Sequence, residues 1–204
     1  MPQETRTVDD VLLAAAQPMS FSPILEAALG AFHEHGYGGS TVRDIAGRVG
    51  VTVPALYYHH ENKEAMLFAL LDQSITRLHD LVGDAASSGS SGRDRFDAMV
   101  QVLVRHTATS GRIMFLDSEI RSLTPEHRAA YADQRAGIEH QVLRAVEDAN
   151  TEGDFRTEHP RDTVRAVLGM IQAVAAWFRP DGEMTVDDLS ALYLALAHRL
   201  AGGH

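Results

Sequence analysis

The chain has 204 residues, no cysteine and a formal net charge of −10. Its length suits one large domain or two small ones; the missing thiols exclude disulfides, thiolate metal sites and cysteine nucleophiles, and fit a reducing, cytoplasmic setting. The acidity opposes non-specific binding to nucleic acid or anionic membranes, no secretory leader is expected, and no apolar run reaches the ~18 residues of a membrane span.

The hydrophobic period is helical throughout. Residues 1–20 read as an N-terminal arm with a loose helical turn or two at "VLLAAAQP". The first firm helix opens near Ser22 with Pro23 at its first position and carries Ile24, Leu25, Ala28, Leu29 and Phe32 to "HGYGG". Thr41 opens a second helix, with Asp44 where a capping-box acid would sit and Ile45, Ala46 and Val49 turned inward. Gly50 and Val51 form a tight turn, and Thr52 caps a short third helix ending near His60. Asn62 caps a fourth, whose apolar stripe runs past Leu71 through Ile75, Leu78 and Val82. The small, polar "GDAASSGSSG" from Gly83 to Gly92 reads as a linker. Helices are expected over 93–110, 111–123, 124–152, 161–178 and from Thr185 onward. The predicted architecture is all-α with about nine helices: an N-terminal bundle of three helices and a larger C-terminal helical bundle. The expected division is an arm over 1–20, a first helical domain over 21–66 and a larger helical domain over 67–204.

Two short helices joined by a glycine turn, with a third behind them, form the layout of a helix-turn-helix reader. The second helix of such a pair enters the major groove. Its outward residues here are Thr52, Val53, Pro54, Tyr57 and Tyr58, and Leu56 turns inward. Val53 and Pro54 suit thymine methyl groups. Each tyrosine can offer a hydroxyl to a phosphate while its ring packs along the sugars. Thr41 combines a hydroxyl with a helix N-terminus, and Lys63 stands within reach of the backbone.

The run "TVRDIAGRVGVTVPALYYHHENKEAM" resembles the DNA-binding signature of the TetR family of one-component repressors. The resemblance covers about residues 22–72, and the helical remainder is compatible with it. It implies that Arg43 reads a base, and that Val53, Pro54 and Tyr57 contact bases or sugars. It implies phosphate contacts for Thr41, Tyr58, His59 and Lys63. His60 departs from the family, which commonly has Phe or Tyr there to pack the helix into its bundle; a polar ring loosens or solvates that junction.

Charge argues the other way. Residues 20–75 hold three basic side chains, Arg43, Arg48 and Lys63, against six acidic ones. Non-specific affinity and its salt dependence are therefore expected to be weak, and high affinity to need a dimer on a palindrome.

In the C-terminal part, "TVRAVLGMIQAVAAWF" and "LSALYLALAHRL" bear more apolar faces than one core requires. The resemblance implies a homodimer through these last two helices, pairing isologously. Met99, Leu103, Met114 and Phe115 could line an apolar effector cavity, with His106, Glu119, Tyr131 and Arg135 as orienting polar groups. "WFRPDGEMTVDDL" and "DSEIRSL" resemble family members that sense acyl-CoA thioesters or lipid-derived acids; Arg112, Arg121 and Arg128 could meet a CoA phosphate. The expected partners are a double-stranded DNA operator, a second copy of the chain and a small-molecule effector, with no membrane, metal or cofactor. A catalytic role is not expected: "HEH" at His33–His35 and "HH" at His59–His60 lack the i, i+4 spacing of helix-borne ligands, and neither a phosphate loop nor a nucleophile elbow occurs. The rival reading is a helical adaptor that has lost DNA binding.

Overall fold

The computed structural model describes residues 6–203. Among them every regular element is helical. The helices are α1 (Val8–Ala15), α2 (Pro23–Gly39), α3 (Val42–Val49), α4 (Val53–His59), α5 (Lys63–Ser88), α6 (Gly92–Thr109), α7 (Gly111–Met114), α8 (Pro125–Glu152), α9 (Pro160–Trp177) and α10 (Val186–Ala201). A 3₁₀ helix, Phe115–Ser122, follows α7. The starts are set by local chemistry. Thr7, Thr41, Ser91 and Thr185 each accept from the backbone of an Asp three residues on, whose carboxylate accepts from the cap's own N–H.

The described residues form two compact units. One comprises residues 6–18, Arg77–Gly111 and 134–203. Its central element is α6, which packs on α1, α9 and α10. Phe96, Met99, Val100, Val102 and Val104 of α6 are fully buried, and Phe96 meets Phe155 edge to face at 5.1 Å. His198 of α10 closes this core: its Nε2 donates to Asp97 Oδ1 at 2.5 Å. Helix α1 belongs to the same unit, with Val11 and Ala15 fully buried. Arg77 donates to the carbonyls of Ala14 and Gln17, and Thr109 to that of Ala15, so the C-terminal end of α1 is satisfied. Arg6 pairs with Asp84 at 3.0 Å. Residues 1–5 of the expected arm lie outside the described residues.

The other unit is Met19–Thr76 with Arg112–Asp133. Helices α2 to α4 and the start of α5 enclose Leu25, Leu29, Phe32, Ile45, Leu56, Met66 and Leu70. The start of α8 docks here through one joint. Glu64 accepts from Thr124 N at 2.8 Å and from His127 Nδ1 at 2.9 Å, and the His127 ring stacks on Phe68 at 3.8 Å.

Two sequence expectations are corrected. The linker over Gly83–Gly92 is largely helix, because α5 runs on to Ser88. Leu81, Val82 and Ala85 keep its buried stripe going, and Ser87 and Ser88 fold their hydroxyls back onto the carbonyls of Gly83 and Ala85. The polar composition hid a helix whose serines are satisfied internally. The single helix expected over 111–123 is instead the four-residue α7 and the 3₁₀ helix, with Ile113 and Leu116 buried.

Candidate nucleic-acid interface

The reading unit is shaped by three turns. Helix α2 breaks its regular path at Gly36, whose φ of 71° and ψ of 160° suit glycine. Lys63, the first residue of α5, reaches into the end of α2. Its ammonium donates to the carbonyls of Tyr37 at 2.6 Å and Ser40 at 2.9 Å, and stands 4.3 Å from the centre of the Tyr37 ring. Helix α3 ends at Gly50 in the left-handed region, φ 75°, and Val51 N–H closes the turn on Ala46 O at 3.0 Å. Thr52 then caps α4 by accepting from Ala55 N at 3.3 Å, with Pro54 in the first turn.

Helix α4 presents what its sequence implied. Leu56 is fully buried, Tyr57 is 46% exposed and Tyr58 is 88% exposed. Thr52, Pro54 and His59 are exposed and Val53 is half-buried. The Tyr58 and His59 rings meet edge to face at 5.3 Å. His60 is half-buried and borders a hollow of about 320 Å³ with Ile24, Val49, Val51 and Ala55. Burial and the neighbouring His59 both hold the His60 imidazole below its ordinary value, so it favours the neutral form.

The cations are distributed unevenly. Arg48 is bidentate to Glu34, at 3.0 and 2.6 Å. Lys63 gives two of its three donors to backbone carbonyls. Of the three, Arg43 alone is exposed and has no partner among the described residues. At Thr41 the hydroxyl donates to Asp44 Oδ2 at 2.6 Å and accepts from Asp44 N at 3.1 Å. The Asp44 carboxyl lies below its usual range, chiefly because of that hydroxyl, with help from the Thr41 N–H and against some desolvation. An ionised carboxylate therefore stands at the α3 N-terminus, where a phosphate would be placed. The sequence placed Asp44 as the capping acid of this helix without weighing its charge against a phosphate there; it missed the Arg48–Glu34 pair, which nothing local signals.

The residues considered for effector binding fall in both units. Met99, Leu103, His106 and Arg135 lie in the α6-centred unit; Met114, Phe115, Glu119 and Tyr131 lie in the reading unit. Met99, Leu103 and His106 are buried, and His106 Nε2 has no hydrogen-bond partner among the described residues. Burial, with the nearby Arg77 charge, lowers the His106 pKa to about 4. Phe115 meets His33 edge to face at 5.2 Å, and Tyr131 donates to Asp117 at 2.7 Å. Arg112 lies 3.7 Å from Glu26, and Arg128 donates to Leu123 O.

Among the described residues eight large apolar side chains are exposed, and seven of them fall in two stretches of the chain. Val51, Tyr57 and Tyr58 belong to the turn and α4; Trp177, Met184, Leu192 and Leu200 belong to α9, α10 and their connection. No helix among the described residues is long and apolar enough to cross a membrane.

A capped helix-turn-helix with an exposed tyrosine pair, joined in one chain to a larger helical unit, defines a DNA-binding transcriptional regulator. The chain belongs to the TetR family: residues 24–70 match the model for bacterial regulatory proteins of the tetR family, and residues 89–201 match the tetracyclin repressor-like C-terminal domain. It is 28% identical over 179 residues to the transcriptional repressor KstR2 of Mycobacterium tuberculosis strain H37Rv, covering 85% of this chain and 88% of that protein. A tetR-family regulatory protein from Rhodococcus RHA1 superposes with a TM-score of 0.84 at 27% identity, covering 93% of this chain and 98% of the other. AibR, solved in complex with isovaleryl coenzyme A and operator DNA, shares the fold with a TM-score of 0.77 at 24% identity, covering 89% and 97%.

Proposed function

We propose that the protein is a ligand-responsive repressor that binds a palindromic operator as a homodimer and is released by a largely apolar effector of the acyl-CoA or lipid-derived acid class. The observation that carries DNA reading is α4: a short helix, fixed at both ends by the Gly50 turn and the Lys63 anchor, that leaves Tyr58 88% exposed. An aromatic side chain so exposed has a reason to be there if it packs on sugar and phosphate. Thr52, Val53, Pro54 and Tyr57 face the bases and sugars, Arg43 reaches from α3, and Thr41, His59 and Lys63 flank the phosphates. The exposed Trp177, Leu192 and Leu200 support pairing of α9 and α10 with those of a second copy. Two-fold pairing matches half-sites one helical turn or a multiple apart. The fold shared with AibR supports the effector class. The residues proposed for effector binding are Met99, Leu103, His106 and Arg135 in one unit and Met114, Phe115, Glu119 and Tyr131 in the other, and an effector releases the operator to the extent that it binds the DNA-free state more tightly.

The test is fluorescence anisotropy of labelled DNA from the gene's own upstream region, over a salt series, with wild type and Tyr58→Ala. Saturable binding that Tyr58→Ala removes, with a shallow salt slope, is expected. A slope of about eight or more released ions would contradict Arg43 being the one unpartnered cation among Arg43, Arg48 and Lys63. Absence of binding by a folded dimer at low salt would favour the adaptor reading.

A further inference from the structure

The α6-centred unit carries a groove of about 540 Å³ that shares only Met99 with the effector residues named above. It is walled by one face each of α5, α6 and α8. His79 and Gly83 stand one turn apart on α5, Arg95 and Met99 one turn apart on α6, and Gln141, Arg144 and Asp148 on one face of α8. The volume falls within the range of sites for small organic ligands, about 300–1,000 Å³. Between these polar groups the lining is Gly83, Ala86, Ala145 and Met99, a small apolar surface against which the body of a ligand can lie.

The polar groups set the sign of the ligand. Asp148 is the one carboxylate in the lining, and Arg95 holds it at 2.6 Å. Gln141 Nε2 lies 3.3 Å from His79 Nε2; donation by the amide makes that nitrogen an acceptor and leaves the imidazole proton on Nδ1. Arg144 is exposed and has no partner among the described residues. The groove thus holds one guanidinium in excess, on a chain whose formal charge is −10. Arg144 is the free fork, and Asp148 engages only one nitrogen of Arg95; a tetrahedral dianion has oxygens enough to take Arg144 and still accept from the N–H groups that Asp148 leaves on Arg95, which a carboxylate held by one fork does not.

We infer that this groove binds a phosphate ester, with Arg144 and Arg95 on the phosphate and the body of the ester against Ala86 and Ala145. Two sources carry that chemistry: the nucleotide portion of a coenzyme A thioester, which rests on the effector class proposed above, and a free nucleotide, which does not. The phosphate contacts are then made by α6 and α8 rather than by Arg112, Arg121 and Arg128.

Calorimetric titration of the full chain with coenzyme A, adenosine 3′,5′-bisphosphate, 5′-AMP and inorganic phosphate tests this. Saturable binding of the esters is expected, weakened at least about tenfold by Arg144→Glu, which reverses the free charge. Gly83→Leu, which fills the groove without changing charge, is expected to weaken it similarly. Both variants keep the wild-type melting temperature and operator binding. Binding of coenzyme A and the bisphosphate but not 5′-AMP assigns the coenzyme; equal binding of 5′-AMP assigns a free nucleotide. The inference is overturned by no binding, by equal affinities in wild type and both variants, or by inorganic phosphate binding as tightly as the esters. Operator binding and its release by a free fatty acid are read separately by anisotropy, so failure of this groove and failure of the repressor reading give different results.

Discussion

Replacing Lys63 by methionine separates two roles for one side chain. The family resemblance places Lys63 on a DNA phosphate, whereas its ammonium donates to the carbonyls of Tyr37 and Ser40. Methionine keeps the apolar stem and removes the charge, the donors and the ammonium's contact with the Tyr37 ring. A hydrogen bond to a charged group contributes about 1.5–3 kcal/mol. Lys63 is only half-buried, so the lower end applies to each bond, and the loss for both is about 3 kcal/mol. For a chain of this size that lowers the melting temperature by about 6–12 °C. The carbonyls left open lie at the junction of α2 and α3, so operator affinity falls with stability. The assay is thermal unfolding followed by circular dichroism, paired with anisotropy over a salt series. If phosphate contact were the main role, the slope would fall by about two for a dimer and the melting temperature would not move. An unchanged melting temperature with that smaller slope refutes the anchor.

Asp44→Asn removes the carboxylate from the α3 N-terminus, and non-specific DNA affinity at low salt should rise severalfold; unchanged affinity would show that phosphates do not approach that helix end. His106 supplies a pH dependence. Its folded pKa of about 4 lies below the ordinary 6.5, so its contribution is present above pH 6.5 and is lost as pH falls toward 4. The full shift corresponds to about 3 kcal/mol, and His106→Leu should flatten the melting temperature between those pH values; a parallel decline in the variant would assign the effect elsewhere. Leu192→Asp places a charge on an exposed apolar position of α10 and should convert a dimer to monomer in light scattering without unfolding the chain; a dimer that survives would move the interface off α10.

The legible parts were those specified by neighbours in sequence. Thr41, Thr52, Asn62 and Thr185 cap helices where their spacing to the next polar group or apolar run says they should. Leu56 turning in while Tyr57 and Tyr58 turn out follows from helical period alone. The partners of charged side chains were not legible, because they come from distant segments: Arg48 finds Glu34 fourteen residues away, and Lys63 finds Tyr37 twenty-six away. The groove gathers Arg95 and Arg144 from different helices, and no window of sequence contains both. At Ser87 and Ser88 composition misled, since a serine that bonds its own helix looks the same in sequence as one in a loop.

Lys63 and Glu64 are consecutive, yet they hold opposite neighbours: the lysine fastens the α2–α3 corner, and the glutamate fastens Thr124 and His127 at the start of α8. The first turn of α5 is therefore a pivot shared by two levers. Any displacement of the first turn of α8 that preserves the Glu64 bonds must drag that pivot, and the pivot cannot shift without tugging the corner that sets the pitch of α3 and α4. A helix-turn-helix reads DNA through the attitude of its second helix, so the tolerance of α4 to movement is set by two adjacent side chains and the four atoms they grip.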